Sequence, residues 1–154
     1  MTRKRCHRRP VQPKPPRGLR PRFDESRLAT IGIAHLSTLD DIARGGATAQ
    51  TLWDLAEAVF TWTRVAELLD EGVPEMAPQL ELAARVIERY GRTGRIAFTG
   101  PEYQLAKAGI DVMDALAQRT DVDTAQAAAR WSDQYLASLV GRYRTQHTTP
   151  RPAA

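Results

Sequence analysis

The chain has 154 residues, 42% apolar and 26% charged, with a net charge of +4; this is the balance of one soluble domain, with or without a tail, and it excludes a fibrous repeat or wholesale disorder. No uncharged apolar stretch reaches the ~18–20 residues that span a bilayer, the charged and proline-rich start lacks the apolar core of a secretory signal, and the lone Cys6 excludes an internal disulfide framework, so a cytoplasmic protein is expected. The charge is divided: residues 1–22 carry nine bases and no acid, residues 23–139 carry ten bases and all eighteen acids for a net of −8, and residues 140–154 add three arginines.

The bases of the first segment are Arg3, Lys4, Arg5, Arg8, Arg9, Lys14, Arg17, Arg20 and Arg22. They repel one another, and Pro10, Pro13, Pro15, Pro16 and Pro21 prevent a regular helix. Residues 1–22 are therefore expected to form a disordered, partly polyproline-like basic arm. Such an arm has three readings: it lies along nucleic-acid phosphates and releases their counterions, it docks on an acidic protein including a neighbouring copy, or it is a solubilising tail or an over-long start. It holds no aromatic residue, so base stacking is unsupported, and any nucleic-acid binding, to DNA or RNA, would be non-specific.

From Ser26 onward helical periodicity replaces every other pattern. A first piece, Arg27 to Leu36, follows possible caps at Asp24 and Ser26, and Ser37 or Thr38 then opens a short turn, Leu39 to Arg44, ended by Gly45 and Gly46. The strongest helix runs from about Thr48 to Glu71 on a stripe of Leu52, Leu55, Val59, Trp62, Ala66 and Leu69, with Trp53 and Phe60 on a second line. That second line is buried inside the bundle or faces another subunit. Gly72 and Pro74 are read as the stop.

The next helix, Met76 to Tyr90, buries Met76, Leu80, Ala83, Ile87 and Tyr90 in this reading, and Gly91 to Gly94 halts it. After an extended connector, Thr99 and Glu102 form a capping box for a helix reaching about Gln118, which leaves Gln104, Lys107, Asp111, Asp114 and Gln118 on an exposed wedge. Asp123 caps the last helix, Thr124 to Tyr143, with Arg142 and Arg144 at its carboxyl end. Residues 145–154 are expected to be a flexible tail. The pattern predicts an all-α bundle over residues 23–144, with four main helices and one or two short ones.

Two stretches carry a resemblance. Leu39 to Gly72, LDDIARGGATAQTLWDLAEAVFTWTRVAELLDEG, sets Gly45-Gly46-Ala47-Thr48 before a Trp-bearing helix that ends in glycine, and Tyr90 to Leu116 contains RTGRIAFTGPE. Both resemble an uncharacterised family of small helical accessory proteins from phages, plasmids and genomic islands of Gram-negative bacteria, some of them labelled DNA-binding regulators. The resemblance implies a mobile-element accessory protein and carries over no functional residues.

Reactive constellations are hard to assemble. A helix-turn-helix over Leu52 to Leu69 would need a glycine at its turn, where Val59, Phe60, Thr61 and Trp62 stand instead. Arg89, Arg92 and Arg95 around Gly91 and Gly94 could grip an anion with help from the Thr99 helix start, although arginine at a helix end is also ordinary dipole complementation. Asp111 and Asp114 read as solvated, Asp40, Asp41, Asp121 and Asp123 as capping groups. Ser26, Ser37, Ser132 and Ser138 lack an identifiable base, Cys6 and His7 lie in the arm, and His35 reads as a hydrogen-bonded core residue. His7, His35 and His147 have no metal-ligand spacing, so neither metal nor cofactor is expected.

The expected molecule is thus non-enzymatic. Its phosphate-contacting residues would be the nine bases of the arm, assisted by Arg92 and Arg95. The alternative is an interaction module, binding a second copy or another protein through Trp53 and Phe60 or through Trp131 and Tyr135. No membrane and no small-molecule substrate is implied.

Overall fold

A computed structural model describes residues 20–147, with side chains as far as Leu139. It contains five α-helices: α1 (Glu25–Ala43), α2 (Ala49–Leu69), α3 (Val73–Thr93), α4 (Gly100–Arg119) and α5 (Val122–His147). Among the described residues there is no β-strand, only an isolated antiparallel bridge between Arg22 and Asp121. The described residues are all-α, as the periodicity predicts. Residues 1–19 of the expected arm and residues 148–154 of the expected tail lie outside the described residues.

Local side chains set most helix starts. The Asp24 carboxylate accepts from the Arg27 N–H at 2.8 Å and opens α1. Thr48 and Thr51 bond reciprocally at the head of α2, and Thr99 and Glu102 do the same at α4. Each box satisfies backbone N–H groups that a helix otherwise leaves unpaired.

Several boundaries differ from the sequence reading. The two short pieces expected over residues 27–44 are one 19-residue helix, α1. Thr38 does not cap; its hydroxyl donates to the Ala34 carbonyl at 3.1 Å within the helix. Asp70, in the left-handed region at φ 54°, closes α2 before Gly72 is reached, and Gly72 at φ 71° opens α3. Pro74 sits in the first turn of α3, where its missing N–H costs nothing. Pro78 stands deeper inside the same helix, so the Pro74 carbonyl lacks its usual helical donor. Gly91 continues α3, which stops at Gly94 at φ 67°. Asp121, and not Asp123, caps α5 by accepting from the Thr124 N–H and hydroxyl, each at 2.8 Å. Residues 145–147, expected in the tail, complete α5.

Helix α2 is the centre. It touches all four other helices, and its buried residues spread around its circumference from Thr51 and Leu52 to Val65 and Ala66. One core cluster joins Val59, Trp62, Val65 and Ala66 to Met76, Met113, Leu116 and Ala128, and a second joins Leu52 to Ile42, Leu82, Val86 and Ile110. Each fully buried aliphatic side chain of this kind contributes roughly 1.5–3 kcal/mol. The buried face of α3 is Met76, Gln79, Leu82, Ala83 and Val86. Leu80 and Tyr90 are half-buried and Ile87 is exposed, because the faces of α2 and α4 select a line rotated from the one its apolar spacing suggests. Helix α1 lies over α2 and α4, whereas α5 packs principally on α2.

Candidate functional site

The arm meets the body at the start of α5. The Pro21 carbonyl accepts from the Val122 N–H at 2.8 Å, Arg22 bridges Asp121, and the Arg20 guanidinium lies 3.3 Å from the Asp121 carboxylate. Hydrogen bonds from Thr124, above all from its backbone, and then the Arg20 charge hold the Asp121 carboxyl below its ordinary range. Residues 20–22, read from sequence as part of the arm, therefore run along the folded body. Arg3, Lys4, Arg5, Arg8, Arg9, Lys14 and Arg17 lie outside the described residues.

The three arginines near the α3–α4 connection do not converge. Arg89 turns inward: its two terminal nitrogens donate to Glu102 at 2.7 and 3.0 Å, and one of them also donates to the Ala97 carbonyl at 2.6 Å. Glu102, only 8% exposed, also accepts from the Thr99 N–H at 2.8 Å. The anion that this helix start and Arg89 attract is thus supplied by the chain itself. The hydrogen bond from Arg89 is the main reason that the Glu102 carboxyl is pulled down to about 2. Arg92 and Arg95 remain exposed on the turn.

Three of the four aromatic residues singled out as interface candidates come together. Trp131 and Tyr135, one turn apart on α5, stack at 5.2 Å with an interplanar angle of 8°, and Phe60 of α2 lies 5.4 Å from Tyr135. The Arg64 guanidinium is 5.4 Å from the Trp131 ring centre, a cation–π distance. Trp131 and Tyr135 are 39% and 36% exposed, so an aromatic surface remains at the outer side of α5. Phe60 is half-buried beneath it, which places the second apolar line of α2 against α5 within the chain, and Trp53 is likewise half-buried.

No protein-family model matches this chain, and neither a curated protein nor a solved structure resembles it significantly. Function must therefore be sought in the surface itself.

His35 marks the most unusual part of that surface. The Trp62 indole N–H donates to His35 Nε2 at 3.1 Å, across from α2 to α1. With Nε2 accepting, the neutral ring carries its proton on Nδ1, and Nδ1 is buried without a partner. Burial lowers the His35 pKa, with Asp114 opposing. Asp114 is correspondingly not on an exposed wedge: α1 covers it, and its carboxylate lies against Gly32.

On the inner side of His35 a cavity of about 30 Å³ reaches Gln79 and Met113, room for a water but not for a substrate. On the outer side, α1, α2 and α5 enclose an open groove of about 260 Å³. Ile31, Ala34 and His35 form one wall, Ala129 the other, and Ala58, Thr61 and Trp62 belong to the floor. Asp54 and Glu57 complete its lining. Burial raises the Glu57 carboxyl, and the charges of Asp133 and Asp54 push it the same way. No sequence pattern joins these three carboxylates and Thr61, which are scattered over 80 positions on two helices.

Among the described residues no group of His, Cys, Asp or Glu is placed to hold a metal ion, and no helix is long and apolar enough to cross a membrane. The Ser132 hydroxyl is spent on the Glu57 carbonyl and that of Ser138 on the Tyr135 carbonyl.

Proposed function

We propose that the chain is a non-enzymatic accessory protein, of the kind mobile elements carry, whose basic arm contacts nucleic-acid phosphates without sequence preference. The observation that supports this is charge segregation: residues 1–19 hold seven bases and no acid, and the residues that follow them are fixed to the body by the Pro21–Val122 bond. A cationic segment anchored at one end follows a phosphate backbone and gains affinity from counterion release. Arg92 and Arg95, exposed on the α3–α4 turn, would add to it.

The test is binding to mixed-sequence DNA and RNA across a salt series. The intact chain is compared with one in which Arg3, Lys4, Arg5, Arg8, Arg9, Lys14 and Arg17 are replaced by glutamine. Residues 20–22 stay unchanged, because they brace α5. Log K for the intact chain should fall with log salt by about 0.9 for each phosphate contacted, and the glutamine variant should lose most of that slope. Equal binding by both chains refutes the proposal.

A second reading, a helical module that binds a protein partner or a second copy in the cytoplasm, is favoured by one observation: the stacked Trp131 and Tyr135 are left partly open to solvent. Large aromatic side chains of this type anchor protein interfaces.

A further inference from the structure

The groove between α1, α2 and α5 combines three features that occur together nowhere else among the described residues. It collects carboxylates: Asp54 and Glu57 line it, and Asp133 follows Ala129 by one turn of α5. None of the three makes an ion pair among the described residues. Among the described residues, its lining also includes both side chains that hold a buried polar atom without a hydrogen-bond partner, His35 (Nδ1) and Thr61 (Oγ1), and Thr61 is 9% exposed. An unpaired buried polar atom costs about 1–3 kcal/mol, so two in one groove mark a surface that is completed by something else. Finally, the groove lies about two helical turns from the point where the arm is attached. Helices α1 and α5 both run away from the Arg22–Asp121 bridge, flanking α2.

We propose that the proline-rich segment Pro13-Lys14-Pro15-Pro16-Arg17 of the same chain docks in this groove and sets its bases against Asp54, Glu57 and Asp133. The reach fits. At 1.5 Å per helical residue, Ala129 and Asp133 lie about 10 and 16 Å along α5 from Val122. A polyproline strand advancing about 3.1 Å per residue puts Arg17 roughly 9 Å and Lys14 roughly 19 Å from Arg20. The chemistry also fits. Proline rings suit a shallow floor of alanine, while a strand without most of its N–H groups still offers carbonyls that can accept from His35 Nδ1. A guanidinium or ammonium donates to Thr61 Oγ1 and to the carboxylates. Burial raises Glu57 first, and the charges of Asp133 and Asp54 add to it; the same cation relieves that repulsion. Docking does not depend on nucleic-acid binding, but it would compete with it, since Lys14 and Arg17 cannot face both partners.

The full chain tests this with a spin label at position 12, introduced by Gln12→Cys with Cys6→Ser, and amide NMR of the body. A docked segment predicts loss of the amide signals of Ala34, Ala58 and Ala129 at low salt, and their recovery at high salt. They should also recover when Lys14→Gln and Arg17→Gln are combined, or in the Asp54→Asn, Glu57→Gln, Asp133→Asn variant. The arm variant leaves the helical body untouched and so reads the contact even if the triple variant fails to fold. Broadening that is even over all faces, or indifferent to the arm variant, overturns the proposal. Broadening that appears when isotope-labelled chains are mixed with spin-labelled ones assigns the groove to a second copy's arm and overturns the same-chain assignment. Because no nucleic acid is present, failure here is distinct from failure of phosphate binding.

Discussion

Arg89 of α3 grips Glu102 of α4 through both terminal nitrogens, and the same carboxylate caps its own helix through Thr99. One nearly buried charge thus fixes the extended connector and the angle between two helices at once. The arrangement explains why α4 begins at Gly100 and not a turn earlier: the carboxylate must reach back to Thr99 and across to Arg89.

Removing one partner leaves the other charge partly desolvated. Breaking a fully buried pair costs about 3–5 kcal/mol, but the Arg89 side chain is 26% exposed, so Arg89→Ala or Glu102→Ala should destabilise the fold by roughly 2–3 kcal/mol. The double variant should cost clearly less than the sum, as a shared interaction requires. Urea unfolding of the four chains measures both quantities.

The pair also predicts acid sensitivity. The Glu102 carboxyl sits at about 2 in the folded chain and near the ordinary glutamate value of about 4.3 when unfolded. The unfolded state therefore binds the proton first as pH falls. The stabilisation is complete above about pH 4.3 and is lost progressively as pH drops toward about 2. In Glu102→Gln the melting temperature should be lower at neutral pH and should fall less between pH 5 and 2. Parallel curves for the two chains would contradict this.

How much of this was legible in the sequence depended on how local each interaction is. Asp24, Thr48 and Thr99 act on residues three positions away, so spacing alone reveals them. Asp121 and Asp123 lie two positions apart at the head of α5, so spacing does not choose between them; the bonds from Thr124 and the neighbouring Pro21 strap single out Asp121. The spacing marks Glu102 as a cap but does not reveal its ion pair, since Arg89 lies on another helix. Gln79 is polar and yet 3% exposed, so the buried line of α3 is not the one its apolar spacing traces. The groove needs three helices to exist, so nothing in a linear pattern announces it.

Gln79 leads to a packing prediction. Its amide donates to the Leu105 carbonyl at 3.0 Å, and a Cβ placed on Gly109 would overlap the Gln79 carboxamide. Alanine for glycine inside a helix normally stabilises by about 1 kcal/mol. Here the side chain in the way is buried and bonded, so overpacking at about 1–3 kcal/mol outweighs that gain and Gly109→Ala should destabilise. Adding Gln79→Ala should restore part of the loss, because it vacates the space the methyl needs. A double-mutant cycle in thermal unfolding decides it.

The open aromatic pair tests the second functional reading. If Trp131 and Tyr135 anchor a contact between copies, light scattering should show mass rising with concentration, and Trp131→Ala with Tyr135→Ala should abolish the rise. Both positions are more than a third exposed, so the double variant should keep its helical circular dichroism. A chain that stays monomeric at every concentration argues against self-association by this face.

His35 supplies a pH dependence of its own. Burial lowers its pKa below 6.5 in the folded chain, so the unfolded state takes up the proton first as pH falls, and folding favours the neutral ring. The stabilisation is full above about pH 6.5 and declines as pH drops from there toward the lower folded value. Protonation would also place a hydrogen on Nε2, which now accepts from the Trp62 indole at 3.1 Å, and so break the α1–α2 link. Stability should therefore decline as pH falls below about 6.5, accompanied by a shift in tryptophan emission. His35→Gln keeps a hydrogen-bonding side chain but no titrating group, and should flatten the curve below that pH. A curve equally steep in His35→Gln would mean that another group controls the transition.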